Sequence, residues 1–113
     1  MIWRITTFAR YFLVFLKENF PKILQLVDRI SELARKTKVQ PSQLTLAWLL
    51  AQGPDIFPIP GTTDVERLKE NMDSMFVQLS TKEVNEFRRA VEEANVHGIR
   101  CPESLTDCIH CWL

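Results

Sequence analysis

The alternation of apolar and polar positions along the chain is mostly helical. Between residues 19 and 38, Phe20, Ile23, Leu24, Val27, Ile30, Leu33 and Ala34 recur at intervals of three and four, opposite Lys22, Asp28, Arg29, Glu32 and Arg35. One apolar stripe on a charged cylinder predicts an amphipathic outer helix. Pro21 is admissible in its first turn, where its missing N–H has no intrahelical acceptor anyway. The next run, VQPSQLTLAWLLAQGPD, differs. Pro41 suits a first helical position, Gly53 a C-terminal cap, and Pro54 prevents continuation. Between them Leu44, Leu46, Ala47, Trp48, Leu49, Leu50 and Ala51 leave almost no polar face. A helix apolar on most sides requires neighbours on more than one of them.

Residues 55–60, DIFPIP, are a short apolar run bounded by turn formers. Such a run predicts a strand buried on both faces, as in parallel sheets, although Pro58 removes one ladder donor. Gly61 then permits a sharp turn into a helix over residues 64–73, with Thr63 and Glu66 at capping-box spacing and Asp64 as the alternative N-cap. Ser80 and Glu83 form a second capping box. It opens a helix to about Ala94 with Val84, Phe87, Val91 and Ala94 on one face. A strand buried on both faces must pair on both sides, and the only other candidate, residues 75–79, is short. The order helix, buried helix, lone strand, helix, helix therefore reads as one end of a larger α/β structure.

Composition changes this picture little. The 113 residues carry 14 basic and 14 acidic side chains, a balance that gives no electrostatic case for nucleic acid. The charge is uneven: residues 1–38 hold 8 Lys/Arg against 3 Asp/Glu, and the acidic excess follows. This is the solvated side of a helix whose partners come later. The apolar run at residues 11–16 falls short of a secretory core of about 7–15 residues, and further short of a span of about 20. A cytoplasmic chain without membrane contact is expected. Cys101, Cys108 and Cys111 fall near the end, and an odd count without a leader argues against a disulfide framework. Cys108 and Cys111 have zinc-ligand spacing around His110, but a second spaced pair is missing. No metal site is expected; a tail with oxidisable thiols is the simpler account.

The stretch LAWLLAQGPDIFPIPGTTDVERLKENMDSMFVQLSTKEV resembles the C-terminal segment of aldo-keto reductases, and ENFPKILQLVDRISELARKTKVQPSQLTLAWLL extends the likeness upstream. The resemblance covers residues 17–100, leaving residues 1–16 as an extension outside it and residues 101–113 as a divergent Cys-rich tail. It implies an α/β fold, the last part of a (β/α)8 barrel, mostly helical in isolation with one or two short strands. It implies NADP(H)-dependent reduction of aldehydes or ketones, with NAD(H) also admitted. Barrel enzymes place their sites at the C-terminal ends of the strands. By the resemblance, Gly61, Thr62, Thr63, Arg67, Glu70 and Asn71 are the cofactor-binding positions, gripping the adenosine end. The physical chemistry is compatible. A glycine lets backbone approach a phosphate, a helix N-terminus favours an anion, and a guanidinium pairs with a 2′-phosphate.

Two departures from the family pattern bear on this. Asp64 stands close to where many members place a basic residue, and its charge works against a 2′-phosphate. Gln40 replaces a hydroxyl N-cap, at a cost of about 0.5–2 kcal/mol. The Asp, Tyr, Lys and His that the resemblance assigns to catalysis are not present. Tyr11 lacks the catalytic context, and His97 and His110 follow Ile56–Ile59, by the resemblance the eighth strand, rather than precede it. The expectation is a truncated reductase, inactive alone, that acts on a small carbonyl substrate only at family level. The alternative is a non-enzymatic helical fragment that associates with another chain through the face around Leu46 and Leu50. Trp48 and its neighbouring leucines are expected to face a barrel.

Overall fold

The computed structural model describes residues 18–96. It contains four α-helices in chain order: α1 (Phe20–Thr37), α2 (Pro41–Leu50), α3 (Val65–Asp73) and α4 (Thr81–Ala94). A 3-10 turn, Ser74–Phe76, follows α3 directly. Leu26–Glu93 form one compact unit; residues 18–25 and 94–96 belong to a second. In the latter, Ile23 N–H donates to the Asn19 carbonyl at 2.9 Å and Lys22 Nζ to the Asn95 carbonyl at 3.1 Å. No helix among the described residues is long and apolar enough to cross a membrane.

The core of the larger unit is Ala34 of α1, Leu44 of α2 and Phe87 of α4, with Ile30, Leu33, Val39, Trp48 and Leu79 packed around them. The stripe at three- and four-residue spacing thus reaches the core through Ile30, Leu33 and Ala34. The capping box at Ser80 forms as the spacing predicts: Ser80 N–H donates to Glu83 Oε2 at 2.7 Å, and Glu83 N–H returns to Ser80 Oγ at 3.3 Å. Two hydrogen bonds from Ser80, backbone first and hydroxyl second, hold the Glu83 carboxyl below its ordinary range. Arg29 pairs with Glu93 between α1 and α4, and that hydrogen bond is the main cause that lowers the Glu93 carboxyl. Both partners are half exposed, so the pair ties the helices together only weakly.

Helix α1 ends on Lys38, which adopts φ 58°. Val39 N–H reaches the Ala34 carbonyl at 3.1 Å and Lys38 N–H the Arg35 carbonyl at 3.3 Å. These two bonds are the Schellman pattern, which most often places glycine where Lys38 stands. The expected loss of the hydroxyl cap on α2 is partly compensated. Gln43 Oε1 accepts the Gln40 N–H at 3.1 Å, half of a capping box.

Four expectations need correction. Residues 55–60 form no strand, and no strand occurs among the described residues to supply the run with ladder bonds. The alternative strand at residues 75–79 instead starts inside the 3-10 turn and sends Leu79 to the core. Gly53 does not cap α2: the cap is Ala51 in right-handed conformation, and Gly53 has no left-handed φ. Trp48 faces α4 rather than an open barrel side. Its ring stacks on Phe87 with centroids 4.8 Å apart, and its indole N–H donates to the Val84 carbonyl at 3.2 Å. Such stacking contributes about 0.5–1.5 kcal/mol beyond the area buried.

Candidate cofactor site

The turn before α3 and the first face of that helix carry the sequence-predicted residues. Asp64, not Thr63, is the N-cap: its Oδ1 accepts from Glu66 N–H at 2.9 Å and Arg67 N–H at 3.4 Å. The competition between the two caps is settled one residue earlier. Thr62 Oγ1 accepts the Asp64 N–H at 3.1 Å, which folds the chain so that the Asp64 carboxylate reaches the helix end. Thr63 is left exposed, with no side-chain partner among the described residues.

Gly61 lies in the open. A Cβ built there meets nothing within 4 Å, and the backbone is not left-handed. The chain's own packing therefore makes no demand for glycine here. Arg67 is exposed, and its guanidinium has no hydrogen-bond or ion-pair partner among the described residues. Arg67 and Glu70, three residues apart on α3, form no ion pair. Glu70 and Asn71, half-buried, lie one turn further along the same face as Arg67.

Glu70 turns instead toward α2. Ser42 Oγ donates to Glu70 Oε1, and Gln43 Nε2 donates to the Glu70 carbonyl at 3.1 Å. Sequence reasoning missed Ser42 and Gln43 as part of this region. Their separation of 28 and 27 residues from Glu70 leaves no local signal. Asn71 lines an open groove of about 360 Å³ together with Leu46 and Leu50 of α2, Phe57 and Pro58 of the preceding run, and Met72 and Met75. The apolar side of α2 not used by the core thus forms one wall of this groove. Phe57 is 79 % exposed and Ile59 93 %, so the run predicted to be buried on both faces leaves these side chains uncovered.

No cluster of three or more His, Cys, Asp or Glu suited to a metal occurs among the described residues. Cys101, Cys108, His110 and Cys111 lie outside the described residues. As a set, Gly61, Thr62, Arg67, Glu70 and Asn71 offer an approachable backbone, a hydroxyl, a free cation, a carboxylate and an amide along about two turns of chain. The groups suit a nucleotide: a cation for a phosphate, an acceptor beside a donor for a base edge. Asp64 at the N-cap and Glu66 in the first turn, beside the set, and Glu70 within it are carboxylates opposed to an anion.

Comparison with known proteins gives the same direction. The model of the Aldo/keto reductase family matches residues 8–92. Aldo-keto reductase yakc, NADP(+), of Schizosaccharomyces pombe is 51% identical over 86 residues, which are 76% of this chain and 25% of that protein. Aldo-keto reductase str7 of Strobilurus tenacellus is 40% identical over 93 residues, 82% of this chain and 28% of the relative. Probable aldo-keto reductase 1 of Glycine max is 43% identical over 86 residues, again 76% and 25%. No solved structure matches significantly. The chain spans about a quarter of the length of these curated relatives. With three quarters of its residues under the family model, the chain belongs to the aldo/keto reductase family, whose fold class is the (β/α)8 barrel.

Proposed function

We propose that this chain carries the adenosine-phosphate grip of an NADP(H)-dependent reductase of aldehydes or ketones. The observation that carries the reading is the Arg67 guanidinium, without a partner among the described residues, in the first turn of a helix that begins shortly after a glycine whose Cβ position is open. Such a cation beside approachable backbone suits an external phosphate. Arg67 holds the 2′-phosphate, the Gly61 and Thr62 backbone and hydroxyl take the phosphate edge, and Glu70 with Asn71 takes the adenine. The cofactor, when bound, supplies a hydride to a carbonyl carbon. The residues on this turn do not touch that carbon; they bind and orient. The name of the Schizosaccharomyces pombe relative, which includes NADP(+), supports the same cofactor. Asp64 tempers the preference for NADP(H) over NAD(H) by opposing the extra phosphate.

The test is a calorimetric titration of the full chain with NADPH beside Arg67→Ala. Saturable binding that weakens by about tenfold or more in the variant is expected, the loss of one charge-assisted contact. Binding that is absent, or indifferent to Arg67, overturns the reading. A second reading rests on the groove rather than the turn: association with another protein chain through Leu46, Leu50 and the exposed Phe57 and Ile59. Its support is the size of the uncovered apolar surface. Sedimentation of the chain alone and with candidate partners separates the two, because cofactor binding by a monomer does not require the groove to be covered.

A further inference from the structure

Glu70 is a helix-surface carboxylate, a kind of side chain that ordinarily exchanges among rotamers and loses entropy when a ligand fixes it. Here one of its oxygens is already engaged. Its Oε1 accepts from Ser42 Oγ, across a sequence separation of 28 residues. Its main-chain carbonyl accepts from Gln43 Nε2 at 3.1 Å. Gln43 is itself oriented, because its Oε1 accepts the Gln40 N–H at 3.1 Å. One amide thus ties the start of α2 to the last turn of α3. The second carboxylate oxygen, Oε2, has no partner among the described residues, and neither has the Asn71 side-chain amide. A fixed carboxylate with one oxygen engaged and one free is an acceptor aimed by its neighbours.

We infer that Ser42 and Gln43 are positioning residues that hold Glu70 so that its free oxygen receives the exocyclic amino group of an adenine. The inference rests on the cofactor reading above and adds to it the source of base selectivity. The chemistry that recognises adenine is an acceptor for the 6-amino group next to a donor for a ring nitrogen, which Glu70 and Asn71 supply. A hypoxanthine ring places a carbonyl oxygen where adenine has the amino group. An oriented carboxylate repels it, whereas a carboxylate free to swing away does not. Ser42 therefore contributes to discrimination between bases more than to affinity as such. Arg67, on the phosphate, sets a different ratio.

The experiment titrates the full chain with NADPH, with its hypoxanthine analogue and with NADH, for wild type, Ser42→Ala, Ser42→Thr and Glu70→Gln. Wild type is expected to prefer NADPH over the hypoxanthine analogue by about tenfold or more, the value of one charge-assisted hydrogen bond. Ser42→Ala lowers that ratio several-fold and leaves the NADPH-to-NADH ratio unchanged. Ser42→Thr, which keeps a hydroxyl, restores it, and Glu70→Gln abolishes it. Ser42 is exposed, so none of these variants is expected to lose the fold. If Glu70→Gln collapses the base ratio and Ser42→Ala does not, the positioning role is overturned while the cofactor reading stands. A Ser42→Ala variant that weakens all three nucleotides equally has lost structure only, which also overturns it. If wild type binds none of the three, the cofactor reading fails, and this inference with it.

Discussion

Asp64 caps α3 and, on the proposed cofactor reading, opposes the phosphate; separating the two effects is the sharpest test of the site. Its carboxylate caps α3 by accepting from Glu66 N–H at 2.9 Å and Arg67 N–H at 3.4 Å. Replacing it with alanine leaves those donors to water and costs about 1 kcal/mol of stability, within the usual range for an N-cap of about 0.5–2. Replacing it with asparagine keeps an oxygen acceptor of the same reach and an N-cap of equal rank. What asparagine removes is the negative charge, worth about 0.3–1 kcal/mol against the helix dipole at an exposed end. The same charge opposes a 2′-phosphate at the start of α3, by up to ~1 kcal/mol at an exposed, screened site. Asp64→Asn is therefore expected to tighten NADPH binding by up to about fivefold and to leave NADH nearly unchanged. The gain shrinks as salt is raised from low ionic strength to physiological, because the Debye length falls toward about 8 Å. Calorimetric titration with both nucleotides at two salt concentrations, paired with thermal melts, reads all of this. Equal tightening of NADH and NADPH, or weaker NADPH binding with an unchanged melt, refutes the assignment of a phosphate to this turn.

Three further outcomes test the fold that holds the site. Leu44, 2 % exposed between Ala34 and Phe87, is the keystone of the core: Leu44→Ala is expected to cost about 2–5 kcal/mol in denaturant melts, and a cost below about 1 would mean that the core is not this cluster. Lys38 holds φ 58° at the end of α1, so Lys38→Gly is expected to stabilise by about 1 kcal/mol, and a lower melting temperature would show that the helix does not end there. The Glu83 carboxyl is held below its ordinary range by two hydrogen bonds from Ser80, backbone first and hydroxyl second, so its folded pKa lies under its unfolded one. That contribution is complete above the ordinary carboxylate range and is lost as pH falls through the folded value. Ser80→Ala, which keeps the backbone N–H bond to Glu83, is expected to cost about 0.5–2 kcal/mol near neutrality and to flatten part of the acid limb of stability; an acid limb identical to wild type would exclude the Ser80 hydroxyl as a source.

What the sequence makes legible here is what neighbours along the chain decide. The stripe from Phe20 to Ala34, the Pro41 start and the Ser80–Glu83 box depend on contacts three and four residues apart, and each forms as read. The Thr63-or-Asp64 choice is finer. Both side chains offer an oxygen to the same helix end, and the decision falls to the Thr62 hydroxyl accepting the Asp64 N–H. Local spacing cannot rank two adjacent acceptors. Trp48 fails for a related reason: an almost wholly apolar helix has no polar face by which to tell its two sides apart, so only the position of α4 shows which side receives the indole.

The run at residues 55–60 is the most instructive case. Its composition is that of a segment buried on both faces, yet Ile56, Phe57 and Ile59 are all exposed. Hydrophobicity reports the environment for which a segment is suited, and pairing is a property of whatever lies beside it. The relatives this chain matches are about four times as long. The cofactor turn differs from the run it follows. Asp64, Thr62 and Arg67 are organised by hydrogen bonds within six residues, and Glu70 by two from α2. None of those bonds requires a sheet. A capped helix and an interhelical staple form here although the run before them forms no strand, so the nucleotide grip proposed above does not depend on barrel closure.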